Sequence, residues 1–139
     1  MQARTALVTV IAIAVTLCAG CARTAKLYNP PRASFLSTDA GTVERAIIEA
    51  MNRRRWVPTR EAPGVVLGTL HIRSHTAVVR IEYTADSYQL KYVSSDNLNY
   101  RRKSDGSEVI HSNYNGWVQN LVNDINARLA PTGVDRARS

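Results

Sequence analysis

The run VVLGTLHIRSHTAVVRIEYTADSYQLKY, residues 65–92, decides the fold. Apolar and polar side chains alternate through it with a period of two, the signature of strands with one buried face. Val66, Leu70 and Ile72 point one way, with Gly68 among them. Ala77, Val79, Ile81 and Tyr83 point inward, against Thr76, Arg80, Glu82 and Thr84. Tyr88, Leu90 and Tyr92 oppose Ser87, Gln89 and Lys91. The breaks at Ser74-His75 and Ala85-Asp86 are too short for a crossover, so the three runs form an antiparallel meander.

Upstream, Trp56-Val57-Pro58-Thr59-Arg60 reads as a further strand, placed at an edge because proline has no N–H to give a central ladder. Before it, Val43, Ala46, Ile47, Ala50 and Met51 recur at helical spacing behind the N-cap candidates Asp39 and Thr42. Arg53-Arg54-Arg55 closes this helix, where cations suit the helix dipole. A second helix is expected from about Asn113 to just before Pro131, with Trp117/Val118, Leu121, Val122, Ile125 and Leu129 on its apolar stripe. A short strand is expected at Leu98 to Arg102. The expectation is an α+β fold: an antiparallel meander of three to four strands with two helices on one face, in the order α-β-β-β-β-α.

The remaining apolar content sits at the N-terminus. The whole chain has 139 residues, 45% of them hydrophobic, and a net charge of +7. Residues 1–20, MQARTALVTVIAIAVTLCAG, place Arg4 before a charge-free run from Ala6 to Leu17. That run is shorter than the roughly 20 residues needed to span a bilayer, and it has the form of a signal-peptide core. From these residues alone, an ordinary secretory signal or an uncleaved anchor are the other readings.

The segment that follows, Ala19-Gly20-Cys21, resembles the cleavage motif of bacterial lipoproteins, with Cys18 where that motif usually has leucine. The resemblance implies cleavage after Gly20 and lipid attachment at Cys21. Ala22 lies where inner-membrane retention would typically show Asp, so the resemblance favours the outer membrane, facing the periplasm. Ala50 to Trp56, Pro63-Gly64-Val65-Val66 and Tyr114-Asn115-Gly116-Trp117-Val118 also resemble segments of small bacterial lipoproteins, which implies a two-layer domain and no particular reaction. The layout expected is a signal peptide over 1–20, a lipidated tether over 21–36, a periplasmic domain over 37–131 and a flexible tail over 132–139. Removing residues 1–20 leaves 119 residues at +6, since Arg4 is the only charged side chain lost. Acyl chains contribute about 0.8 kcal/mol per buried CH₂, so more than one gives stable attachment.

Signatures of catalysis are few. No Gly-x-Ser-x-Gly elbow and no phosphate-binding glycine loop is present. His71 and His75 have a spacing that aligns metal ligands on a helix, but here a strand turn separates them. No enzyme activity, metal or cofactor is expected, and an exported chain has little occasion to meet nucleic acid. Two sets of binding residues remain. Arg73, Arg80 and Lys91 lie on the outward sheet face, where anionic lipid or glycan would be attracted; the alternative is a solvated basic surface. Asn97, Asn99, Tyr100, Asn113 and Tyr114 are the second set. The end of the last strand can approach the start of the second helix, and amides with aromatic faces suit a glycan or peptide. Capping chemistry and core packing are the alternative there. The functional expectation is an envelope interaction or assembly role without catalysis, through protein or glycan contacts, with anionic-ligand binding and then a hydrolase as the other readings.

Overall fold

The computed structural model describes residues 23–130. The expected signal segment 1–20, the lipidation site Cys21 and the expected tail 132–139 lie outside the described residues. In chain order the elements are β1 (Thr24–Lys26), β2 (Ala33–Ser34), α1 (Ala40–Arg53), β3 (Trp56–Ala62), β4 (Val65–Ile72), β5 (His75–Tyr83), β6 (Ser87–Asp96), β7 (Arg101–Arg102), β8 (Glu108–His111) and α2 (Ser112–Leu129). The fold is α+β, as the periodicity predicts, with more strands than expected.

The strands make two antiparallel sheets. The larger has the order β2-β6-β5-β4-β3, and the smaller β1-β8-β7. The meander keeps the register that its alternation demands: Leu70 pairs with Ala77, Val66 with Ile81, Ile81 with Leu90 and Tyr83 with Tyr88. A one-residue slip would turn that whole apolar set to solvent. The ladder shifts between Val78 and Val79, which pair with Ser94 and Tyr92, so Val93 is the extra residue of a bulge in β6. Trp56 and Pro58 lie on the edge strand β3, where proline costs no ladder bond.

Both helices cover the inner face. The side chain of Asp39 caps α1 by accepting the Thr42 N–H at 2.9 Å. Its buried face is Val43, Ala46, Ile47, Ala50 and Met51, the stripe expected from the sequence. The helix stops at Arg55, whose φ of 65° leaves the helical region. Arg54 then joins the helices, donating through Nε and Nη2 to the two carboxylate oxygens of Asp124 at 2.6 and 3.1 Å. Tyr88 is fully buried between sheet and α2 and donates to the Asn126 side chain at 2.7 Å.

Three expectations are corrected. The segment 21–36 is not a tether over its described part. Thr24–Lys26 pairs with Val109–His111, Leu27 enters the core, and the Tyr28 N–H donates to the Asn115 side chain at 3.0 Å. Gln89 holds the Pro30 carbonyl at 2.6 Å, and Ala33–Ser34 closes the free edge of β6. Prolines at 30 and 31 rule out helix there, but extended chain can still be bound by side-chain amides. Second, β8 is an unforeseen strand: at four residues it is too short to show a period. Third, α2 begins at Ser112 rather than Asn113, capped by His111, whose Nδ1 accepts the Asn113 N–H at 3.2 Å.

Candidate functional site

The outward sheet face brings Arg80 and Lys91 together as cross-strand partners. They are not alone there. Arg80 lies 3.0 Å from Glu61 and 3.3 Å from Glu82, and Lys91 lies 3.5 Å from Glu82. Two cations face two carboxylates, and the local charge cancels. Arg73 sits apart from both, in the two-residue loop between β4 and β5, with φ at 55°. This face is a neutral ion-pair network.

The second expected set divides. Tyr114 is fully buried, with its ring edge-on to Tyr92 at 5.6 Å between centroids. It is a core anchor, and burial pushes its phenol pKa up. Asn113 is exposed in the first turn of α2 and lies outside the cleft described next. Asn97, Asn99 and Tyr100, by contrast, come together in an open cleft of about 710 Å³ where the two sheets meet the start of α2. The approach of the last long strand to the second helix, expected from the order of elements, is realised here.

Five further residues complete the lining: Arg23, Thr24, His75, Arg101 and His111. Their positions follow from backbone pairing. Thr24 pairs with His111, and the Ser112 N–H donates to the Arg23 carbonyl at 2.7 Å, so Arg23 is tied beside the helix start. The loop after β6 is clasped from both sides. The Asn97 side chain donates to Ser74 Oγ at 2.9 Å, and the His111 N–H donates to the Leu98 carbonyl at 2.8 Å. Asn97 and Asn99 have φ near 55° and 51°, in the left-handed region that asparagine tolerates better than most residues. Leu98 between them is buried and pins the loop to the core.

The histidines have defined roles. Nδ1 of His75 is 2.7 Å from the Asn97 carbonyl. A carbonyl only accepts, so that nitrogen carries the proton. His111 is the reverse: its Nδ1 accepts a backbone N–H, so a neutral ring carries its proton on Nε2. The rings lie 5.9 Å apart, and the Trp117 indole lies 6.4 Å from His75.

The electrostatics are one-sided. No Asp or Glu lines the cleft, and among the described residues no carboxylate lies within 4.0 Å of the guanidinium of Arg23 or Arg101. Glu108 is nearby but occupied: Tyr100 donates to its Oε1 at 2.6 Å, and Arg102 donates to the same oxygen at 3.1 Å. The hydrogen bond from Tyr100, and after it that from Arg102, hold the Glu108 carboxyl below its usual range, and the hydrogen bond to Glu108 raises the Tyr100 phenol. The Tyr100 hydroxyl and the Asn97 amide therefore serve the scaffold, and the groups left to meet a ligand are Arg23, Arg101, Asn99 and the Nε2–H of His111. They are donors and cations, suited to an anion.

The chain matches no family model, no curated protein and no solved structure. The reading of the site therefore rests on its geometry.

Sequence reasoning singled out three of the eight lining residues. Arg23 carries no local signal, because it sits in the segment whose prolines read as a tether. His75 and His111 are far apart in the chain, and only the pairing of β1 with β8 and the clasped loop bring them together. Among the described residues, no group of three His, Cys, Asp or Glu side chains converges in metal-binding geometry, and no helix is long and apolar enough to cross a membrane.

Proposed function

We propose that this protein is an envelope lipoprotein, anchored in the outer membrane through acyl chains on Cys21 and facing the periplasm, whose domain works without catalysis by binding an anionic envelope component in the Arg23/Arg101 cleft. The carrying observation is that cleft: two arginines and two histidines line it, and no Asp or Glu does. The N-terminal pattern supports the anchor, since a charge-free run ends at Ala19-Gly20-Cys21. The neutral network at Arg80 and Lys91 makes the sheet face a weaker attractor of anions than the cleft.

Two experiments test this reading. Cys21→Ala should abolish incorporation of labelled fatty acid and release the domain from the membrane fraction; continued retention would overturn the anchor. A photo-crosslinking residue at Asn99 in intact cells should capture an envelope component, with a yield that drops sharply when Arg101→Glu is added. Equal yields would overturn the cleft as the binding site.

A further inference from the structure

We propose that the cleft binds the phosphodiester headgroup of a phospholipid in the same leaflet that holds Cys21. This rests on the lipid-anchor reading above and gives the anionic component a chemical identity.

The first support is distance along the chain. Arg23 is two residues from Cys21, and two extended residues span no more than about 7 Å. Arg23 is itself immobilised, through the Thr24–His111 pairing and the Ser112 N–H on its carbonyl. A lipid on Cys21 therefore holds the mouth of the cleft at headgroup level. Because the expected tether is instead built into the fold, the domain has no slack with which to stand away from the bilayer.

The second support is the distribution of charge. The small sheet and its turns carry Arg23, Lys26, Arg101, Arg102 and Lys103 against only Asp105 and Glu108. Glu108 is held by Tyr100 and Arg102, and Asp105 accepts from the Ser107 N–H at 2.8 Å and its hydroxyl at 2.6 Å. Elsewhere, Arg54 is met by Asp124, Arg128 by Glu49 and Arg80 by Glu61 and Glu82, while Arg32, Arg45, Arg55 and Arg73 make no ion pair among the described residues; the small sheet and its turns still carry a net +3, against +2 on the rest of residues 23–130. The excess positive charge thus gathers at the end that Cys21 would hold on the membrane. Near an anionic leaflet, each basic residue favours partition by about fivefold.

The third support is the chemistry of the wall. A phosphodiester carries one negative charge and only acceptor oxygens towards its partners. Guanidiniums bind it in a forked geometry, and Asn99 and the His111 Nε2–H add neutral donors. An ammonium headgroup would need carboxylates, and none lines the cleft. Trp117, half-buried beside His75, is a side chain suited to the bilayer interface.

The test uses the full mature lipoprotein in vesicles of phosphatidylglycerol and phosphatidylethanolamine that contain a nitroxide-labelled headgroup lipid. Trp117 reports contact by quenching, and its signal is assigned by loss in Trp117→Phe. Arg23→Gln with Arg101→Gln should reduce headgroup quenching of Trp117 by at least half. Arg80→Gln with Lys91→Gln, which removes the same charge from the sheet face, should leave it unchanged. Thermal melts check that each variant folds. Equal quenching in wild type and the cleft variant would overturn the proposal. So would an equal loss in both double variants, which would point to general charge attraction. A Trp117 response to inorganic phosphate in detergent micelles, with headgroup quenching insensitive to the cleft variant, would assign the cleft to a soluble anion and also overturn it. A protein that never stays with the vesicles would overturn the anchor, a failure that reads out separately from these.

Discussion

The imidazoles of His75 and His111 face each other with centroids 5.9 Å apart and planes inclined by 38°, and each is set by a backbone group on its own side. His75 donates to the Asn97 carbonyl, while His111 accepts from the first turn of α2. The pair joins the end of the large sheet to the start of the helix. One ring is the wall of the cleft and the other is both wall and cap.

Loss of that cap should be measurable. His111→Ala removes the acceptor for the Asn113 N–H and should destabilise the protein by about 1 kcal/mol, a typical cost for a lost N-cap. His111→Asn, whose side-chain oxygen can cap, should recover most of the loss. Urea unfolding of the three proteins decides it: equal midpoints for Ala and Asn would show that the imidazole acts through packing instead.

Tyr114 offers the opposite sign. Its ring is fully buried, and its hydroxyl has no hydrogen-bond partner among the described residues. A buried hydroxyl without a partner loses hydration with nothing in return. Tyr114→Phe keeps the edge contact with Tyr92 and should raise stability by about 1 kcal/mol. A destabilised Phe variant would reveal an ordered water or other partner at that oxygen.

Gly68 shows how closely α1 lies on the sheet. A Cβ at this position would come within 2.9 Å of Met51 Cε and 3.3 Å of Val79 Cγ2. Met51 is fully buried, and its thioether end must shift to admit the new carbon, while the branched Val79 side chain is the stiffer neighbour. Gly68→Ala should cost about 1–2 kcal/mol by overpacking, and Met51→Ala should cost less in the Gly68→Ala background than alone, because each relieves the other. A double-mutant cycle on thermal unfolding with no coupling would contradict this contact.

Acid should weaken the fold through its paired carboxylates. Glu44 is lowered from the ordinary 4.5 by hydrogen bonds from Tyr83 and then Arg60, and Glu108 by Tyr100 and then Arg102. Asp124 is lowered from 3.8 by its hydrogen bond with Arg54. A folded-state value below the unfolded one means the native state binds fewer protons. That stabilisation is complete above the unfolded values and disappears as pH falls through the folded ones. Tm should be flat from neutral pH to about pH 5 and fall below about pH 4. A Tm that stays level through this acid range would show that these pairs contribute nothing to stability.

Much of this architecture is legible in local pattern. The alternation over residues 65–92 determines three strands, their faces and their register, because a half-buried strand must repeat every two residues. The stripe from Val43 to Met51 determines α1 in the same way, and Pro58 determines the edge. The N-terminal run and Ala19-Gly20-Cys21 carry the only statement about location, and that statement belongs to chemistry done on the chain rather than to its fold. What the tertiary structure alone decided is where distant residues meet. Arg23, His75, the Asn99/Arg101 segment and His111 come from four separate places in the chain and share no period. They converge because a three-residue strand at the N-terminus pairs with a four-residue strand near the C-terminus, both too short to be seen in sequence. Neighbours within the meander, Glu61 on β3 and Glu82 on β5, cancel the charges of Arg80 and Lys91, while Arg23 and Arg101 meet no carboxylate among the described residues: electrostatic surroundings depend on neighbours in space, which the order of residues does not state.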